Sequence, residues 1–190
     1  MIQSEKSQRI YADLINGRII NKYLLDQDQR TPNPDYTELF TNLEHYVELY
    51  RNIGFELVFR DSFFFIRDLD LGDTYKEVAI KIQVTLLILA RKITEAGYGY
   101  DLLESESAGI SVQQMDDISK QEEVQKLISA AKLGKKTLPE VVKDVMVEKR
   151  IMQKNSHNRF VLTDAGKYFF SQLFEKEILD KKVSEKASLE

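Results

Sequence analysis

The sequence predicts an α+β fold, mainly α, in which two successive units each combine helices with a β-hairpin. Apolar residues recur every three or four positions along several segments, which is typical of amphipathic helices. Two pairs of short apolar runs, within 55–67 and 151–162, are each divided by polar residues, as in hairpins. The chain has 190 residues, 43% hydrophobic and 31% charged, which is enough for one good core or two small ones.

The first unit begins with a predicted helix over residues 3–16, with Ile10 and Leu14 on its inner side. Gly17 ends this helix, and the apolar run at 18–20 predicts a short strand. The following polar segment at 26–33 contains a proline, so we expect a loop there.

The next predicted helix has the clearest signals in the chain. Asn33 is a favourable N-cap, and Pro34 occupies the first helical position, where its missing N–H costs nothing. Apolar and aromatic residues then recur from Tyr36 to Ile53, before Gly54 supplies a C-terminal stop. We therefore expect one continuous helix across this stretch.

A hairpin is predicted directly after this helix, with strands at 55–60 and 63–67 joined by a two-residue turn at Asp61-Ser62. Both faces of this ribbon are apolar, so we expect another part of the chain or a partner to cover its second face. A two-residue turn places the following residues opposite each other: Phe59 and Phe64, Leu57 and Ile66, and Glu56 and Arg67.

A short acidic segment at 68–74 is the predicted domain boundary. It divides an N-terminal domain at 1–70 from a C-terminal domain at 71–180, and residues 181–190 form a polar tail. The C-terminal domain opens with a long predicted helix at 75–96 that is apolar around most of its circumference. Such a helix is buried on nearly every side, either as a spine between the domains or in a dimer contact.

Further helices of the second domain are indicated by three Ser/Thr residues, each followed three positions later by Glu or Gln. A second hairpin and a closing helix that begins after Thr163 follow them. This is the element order of a winged helix-turn-helix, and the first domain follows a looser version, so we expect tandem winged-helix domains. The three capping pairs are Ser111 with Gln114, Ser119 with Glu122, and Thr137 with Glu140.

Composition and motifs argue against several classes of protein. The chain has no Cys, its first ten residues are polar, and its most apolar run, at 84–90, is too short to span a membrane. Its two His residues lie on separate elements, and phosphate-loop, zinc-protease and hydrolase motifs are absent. We therefore expect a cytoplasmic protein that is not an enzyme and that needs neither cofactor nor metal.

A basic cluster in the second domain is the sequence feature that most favours nucleic-acid binding. Eight basic and three acidic residues lie between Lys132 and Arg159, in a chain whose net charge is −4. However, Glu140, Asp144 and Glu148 are spaced by four and would form an acidic stripe on a base-reading helix. This favours weak, sequence-independent DNA contact over a sequence-specific transcriptional regulator, the alternative function. The candidate DNA-contact residues are Lys132, Lys135, Lys136, Lys154, His157 and Arg159.

Over residues 10–175 the chain resembles the MukE/MksE family of bacterial condensin subunits. The shared features include the Gly17-Arg18 turn, an aromatic helix that ends near Tyr50, and the run from Phe63 to Arg67. An apolar helix containing LLILA and the closing segment RFVLTDAGKYFF follow in the same order. The chain is short and lacks a long acidic C-terminal tail, which indicates the MksE-like branch or its relatives in plasmid defence.

This resemblance implies a non-catalytic, nucleoid-associated adaptor with two winged-helix domains. Such a subunit would form a homodimer, bind a kleisin subunit of the MukF/MksF type and thereby regulate an SMC ATPase of the MukB/MksB type. The apolar hairpin at 55–67 and the helix at 75–96 are the candidate surfaces for these contacts. The candidate dimer or kleisin residues are Val58, Phe63, Phe65, Ile80, Val84 and Leu87.

Overall fold

The computed structural model describes residues 4–70 and 72–173, with side chains described at 4–70 and 77–173. It is a mixed α/β structure with more helix than strand, which confirms the predicted α+β, mainly α class. The N-terminal elements are α1 (Ser4–Ile15), β1 (Ile20–Asn21), β2 (Tyr23–Asp26), β3 (Gln29–Pro32), α2 (Pro34–Thr41), α3 (Leu43–Asn52), β4 (Phe55–Arg60) and β5 (Phe63–Asp68).

Two predictions for this part of the chain are wrong. The expected loop is the β2–β3 hairpin, because Gln27 and Asp28 both adopt positive φ and make a tight turn. The expected continuous helix is divided into α2 and α3 at Asn42. The side chain of Asn42 donates a hydrogen bond to the carbonyl of Glu38, 3.1 Å away, and the backbone of Asn42 departs from helical values, with φ −115° and ψ 33°.

The first large hairpin has the predicted register. Phe59 pairs with Phe64 and Leu57 with Ile66, as the two-residue turn requires. β1 adds to the free edge of β5, so the three strands are ordered β1-β5-β4 and all pairs are antiparallel. Burial and cross-strand pairing therefore selected the same register.

The remaining elements run from residue 72 to 173. They are α4 (Gly72–Glu95), α5 (Asp101–Glu104), α6 (Val112–Ser119), α7 (Glu122–Ala130), α8 (Leu138–Val141) with a π-helical turn (Val142–Val147), β6 (Met152–Lys154), β7 (Phe160–Leu162) and a closing helix, α9, at 164–173. Ile110 forms a bridge to Phe160, so this half also has an isolated segment beside β7, with β6 on the other side. The residues after 173, including the predicted polar tail at 181–190, lie outside the described residues.

Two of the three capping predictions are confirmed. Ser111 and Gln114 form a reciprocal capping box at α6, and Glu140 accepts the backbone N–H of Thr137 at 2.7 Å. The pairing of Ser119 with Glu122 is wrong, because the hydroxyl of Ser119 accepts the N–H of Leu138 at 2.7 Å. Ser119 therefore stabilises the start of α8 rather than α7.

Buried apolar side chains form two clusters that meet at β5. Phe64 and Ile66 belong to the smaller cluster, with residues of α1, α2 and α3. Phe63 belongs to the larger cluster, built around α4 and the second half of the chain, and its ring centroid lies 5.4 Å from that of Tyr168 and 5.7 Å from that of Phe169. The second face of the hairpin is therefore covered by the chain itself.

Candidate functional site

A polar joint connects the N-terminal elements to the segment that follows the π-helical turn. Arg18 pairs with Glu148, with 2.6 Å between Nη2 and Oε1, and Arg150 pairs with the buried Asp13, with 2.8 Å between Nη2 and Oδ2. The backbone N–H of Ile19 donates to the carbonyl of Lys149 at 3.2 Å. These contacts join residues separated by about 130 positions and hold the two halves in one orientation.

A second polar joint is made by the β2–β3 hairpin. Asp164, at the start of α9, accepts the N–H of Tyr23 at 3.1 Å and pairs with Arg30, whose guanidinium also lies over the Tyr23 ring. At the tip, Asp28 accepts hydrogen bonds from both the N–H and the hydroxyl of Ser156, in the β6–β7 turn. The hairpin therefore fastens the N-terminal half to the second half at both ends.

The predicted DNA-contact lysines before α8 differ in their surroundings. Lys132 pairs with Glu77 of α4, with 3.0 Å between Nζ and Oε1, and Lys136 pairs with Asp144 at 2.7 Å. Lys135 is exposed. Exposed ion pairs are weak, so both paired lysines can exchange their carboxylate for a phosphate at low cost.

The three remaining predicted DNA-contact residues lie together on the β6–β7 hairpin. Lys154 stacks over the ring of Phe160, with 5.2 Å from Nζ to the centroid, and Arg159 donates to a backbone carbonyl at 3.5 Å. The Nδ1 atom of His157 lies 3.5 Å from Asp28. All three side chains are exposed on this hairpin or its turn, while the three lysines lie on the segment before α8.

Each carboxylate of the predicted acidic stripe has a partner within the chain. Hydrogen bonds from Thr137 lower the pKa of Glu140, and the hydrogen bond from Lys136 lowers that of Asp144. The hydrogen bond from Arg18 likewise lowers the pKa of Glu148. These side chains are engaged in capping, in a local ion pair and in the joint between the halves.

An open apolar cavity of about 290 Å³ lies where β5, α4 and α9 meet. Its wall includes Phe65, Ile82 and Phe169, and the cations Arg67 and Lys149 lie at its rim. Arg67 also pairs with Glu56 across the hairpin. The cavity therefore offers an apolar floor with positive charge beside it, and Phe65, one of the predicted interface residues, lies in it.

The other predicted interface residues fall into two groups. Val58 and Phe63 are buried within the chain, so they cannot contact a partner while the fold stays closed. Ile80 and Leu87 of α4 are 49% and 50% exposed, and Val84 between them is half-buried. The expectation that α4 is buried on nearly every side is therefore wrong along one stripe, which contains these three residues.

Asp28 and Ser156 are functional candidates that sequence analysis missed. Asp28 was within an expected loop, and Ser156 lay in a polar turn between two predicted strands. The only local signal was the Gln27-Asp28 pair between two segments of similar length, which is weaker than an Asn-Gly turn. Their contact spans 128 positions, so no short-range pattern reports it.

Two features are absent from the described residues. Within them, no group of three or more His, Asp or Glu side chains is arranged to hold a metal ion. None of the helices described there combines the length and apolar character needed to cross a bilayer.

The chain matches the model of a known protein family. The family model described as condensin complex protein MksE matches residues 5–174 of the chain. A comparison with curated proteins found no match. The family match covers both halves of the chain, both polar joints and the apolar cavity.

Proposed function

The chain belongs to the MksE family of condensin complex proteins, and we propose that it is the non-catalytic regulatory subunit of an SMC–kleisin complex. In this role it binds the kleisin and thereby regulates the SMC ATPase, in chromosome organisation or plasmid defence at the nucleoid. The observation that carries the proposal is the family match across residues 5–174. No observation on the described residues favours the alternative, a sequence-specific DNA-binding regulator.

Two winged-helix domains are the architecture that we propose for this subunit. In the first half, β5 lies between β1 and β4, and the strand after the first helix pairs with the last strand. In the second half, β7 lies between Ile110 and β6 in the same relative order. The shared order supports a duplicated plan, with the β2–β3 hairpin as an insertion in the first copy.

The apolar cavity is the proposed kleisin contact. Its floor includes Ile82 and Phe169, which suit an apolar side chain from a helix or extended segment. Arg67 and Lys149 at the rim suit a carboxylate next to that side chain. We therefore assign this cavity to a kleisin segment in which apolar and acidic residues are adjacent.

The exposed stripe of α4 is the proposed contact with a second copy of the chain. Ile80, Val84 and Leu87 follow the spacing i, i+4, i+7, which places them on one face of the helix. Two copies of such a stripe can pack against each other about a two-fold axis, because each presents the same self-complementary surface. The homodimer contact would therefore lie on a different face of α4 from the kleisin cavity, which faces β5 and α9.

Auxiliary DNA contact is proposed for the exposed cations of the β6–β7 hairpin. Lys154, His157 and Arg159 are exposed on this hairpin and its turn, where they can contact phosphates without reading bases. This contact would be sensitive to salt and tolerant of sequence.

Multi-angle light scattering tests the main proposal. The purified chain is measured alone and after mixing with a kleisin of the MukF/MksF type from the same genome. We expect a dimer alone and a larger complex of fixed stoichiometry on mixing. A chain that remains at its own mass in the presence of the kleisin contradicts the proposal.

A substitution in the cavity tests the proposed kleisin contact. Ala79 lines the cavity and is exposed, so Ala79→Glu adds a carboxylate there without removing a core side chain. We expect this variant to remain folded and to lose kleisin binding. Ala130→Glu, at an exposed position of α7, is the matched control and should bind as the wild type does. Kleisin binding of equal strength by both variants would exclude the cavity as the kleisin contact.

A further inference from the structure

We propose that the β6–β7 turn holds a phosphate-binding site for the DNA backbone, and that Asp28 of the β2–β3 hairpin occupies this site within the chain. The donors of the site are the backbone N–H and the hydroxyl of Ser156, with the ring of His157 beside them. This inference rests on the proposed DNA contact and adds both the anchoring group and its internal competitor.

The carboxylate of Asp28 is held in the way that a phosphate would be held. One oxygen accepts the N–H of Ser156 at 2.8 Å, and the other accepts its hydroxyl. The Nδ1 atom of His157 is 3.5 Å from the second oxygen. A phosphodiester also presents two oxygens to neighbouring donors, so the N–H and the hydroxyl of Ser156 can donate to it as they do to Asp28, with the His157 ring beside them.

The turn that presents these donors is built independently of Asp28. Asn155 is buried, and its side-chain oxygen accepts the N–H of His157 at 3.0 Å and that of Arg159 at 2.9 Å. Its side-chain nitrogen donates to the carbonyls of Glu106 and Ala108, which anchors the turn to the preceding loop. Because these bonds do not involve Asp28, the donors keep their positions when the carboxylate is removed.

Charge at the surrounding surface favours a polyanion over a single small anion. Lys154 and Arg159 are exposed beside the turn, and a DNA strand can contact them and Ser156 through successive phosphates. Asp28 competes with the DNA through a single carboxylate. This carboxylate stays near the donors because Tyr23 and Arg30 of the same hairpin are bonded to Asp164. An intramolecular group has a high effective concentration, so weak anions are excluded while a multivalent strand can displace it.

Fluorescence anisotropy with a labelled duplex of random sequence at about 0.15 M salt tests this inference. Asp28→Gly removes the carboxylate and suits the positive φ of this position. We expect it to bind the duplex about tenfold more tightly than the wild type, the equivalent of one charge-assisted hydrogen bond. Adding Ser156→Ala to this variant should remove most of the gain.

Asp26→Asn is the matched control, because Asp26 is exposed in β2 and loses the same charge. We expect it to change affinity less than about twofold, because it removes one charge without freeing the donors of Ser156, and salt screens exposed charges. If Asp28→Gly and Asp26→Asn increased the affinity for the duplex equally, net charge would explain the change and the inference would be overturned. Unchanged affinity in Asp28→Gly, with measurable binding by the wild type, would overturn it while leaving the DNA contact intact.

A second measurement separates failure of the site from failure of the DNA contact. The backbone amide of Ser156 is followed by NMR while inorganic phosphate is added to the wild type and to Asp28→Gly. A shift of the Ser156 amide signal that occurs only in Asp28→Gly supports the phosphate site masked by Asp28. If neither protein binds the duplex in that case, only the proposed DNA contact fails. Absence of a shift in Asp28→Gly overturns the site.

Discussion

Asn21 of β1 donates a side-chain hydrogen bond to the carbonyl of Arg150, 2.9 Å away, although 129 positions separate the two residues. The side-chain oxygen of Asn21 also accepts the N–H of Ala165 at 2.9 Å, at the start of α9. Asn21 is 4% exposed, so water has little access to these groups. One amide side chain thus connects the first sheet to both ends of the second hairpin.

Replacing Asn21 should weaken the whole fold. Asn21→Ala leaves the N–H of Ala165 without this partner, at a cost of roughly 1–3 kcal/mol. It also removes one of the two hydrogen bonds to the carbonyl of Arg150, which Thr163 still satisfies, at a cost of about 1 kcal/mol. We expect the free energy of unfolding to fall by about 2–4 kcal/mol, measured by urea denaturation. Asn52→Ala, at an exposed position of α3, should change it by less than about 0.5 kcal/mol. Similar losses in both variants would contradict the role of Asn21.

Gly166 permits close approach between α9 and the segment before β6. A Cβ atom at this position would lie 2.1 Å from the carbonyl oxygen of Ile151, so the backbone would have to move. Gly166→Ala should therefore cost about 1–3 kcal/mol of stability in thermal or urea denaturation. Gly99→Ala is the control, because its added Cβ would meet the flexible side chain of Asp101. A stable Gly166→Ala variant would show that this approach is not needed.

Tyr50 is fully buried, and its hydroxyl has no hydrogen-bond partner among the described residues. Burial accordingly raises the pKa of this phenol. Tyr50→Phe removes the unsatisfied hydroxyl and keeps the ring, so we expect stability to be unchanged or to rise by about 1 kcal/mol. Tyr46→Phe breaks the 2.7 Å bond to Ser7 and should be less stable than Tyr50→Phe. If urea denaturation showed Tyr46→Phe to be more stable than Tyr50→Phe, these hydrogen-bond assignments would be contradicted.

Acid should loosen the joints between the two halves. The pKa of Glu148 is lowered by the hydrogen bond from Arg18, and that of Asp28 by those from Ser156. A carboxylate with a lowered pKa stabilises the fold above its unfolded-state pKa of about 4, and this stabilisation is lost as pH falls through the folded-state value. The urea midpoint should therefore decrease below about pH 4.

The variant Glu148→Gln tests the origin of this acid sensitivity. It removes the titrating group, so the difference between its midpoints at pH 7 and pH 3 should be smaller than that of the wild type. Glu48→Gln, on the exposed face of α3, should retain the wild-type difference. If both variants respond to pH equally, Glu148 does not contribute to acid sensitivity.

The α4 stripe should control self-association. Ile80→Ser combined with Leu87→Ser removes exposed apolar side chains, so we expect the dimer mass in light scattering to fall to that of the monomer. The melting temperature of the monomeric unit should change little, because about half of each side chain is already exposed. Leu24→Ser with Ile53→Ser removes comparable exposed apolar groups elsewhere and should leave the dimer intact. A dimeric stripe variant would exclude this interface.

The buried position of Phe63 shows what the sequence could and could not predict about the β4–β5 hairpin. Apolar residues on both faces of the β4–β5 hairpin correctly indicated that both faces are covered. This pattern could not distinguish a partner from the chain itself, and the rings of Tyr168 and Phe169, more than 100 positions away, provide the cover. A Phe63→Ser variant would therefore open the larger core rather than test an external interface.

The sequence alone predicted the α+β, mainly α class, the register of the β4–β5 hairpin and the capping of α6 and α8. These features depend on residues a few positions apart, whose spacing sets which side chains share a face. Tertiary structure decided the partner of Ser119, the contact between Asp28 and Ser156, and the buried position of Asn21. In each case, the hydrogen-bond partner lies 19 or more positions away in the chain. Only the folded chain brings such partners within reach, because hydrogen bonds act over about 3 Å.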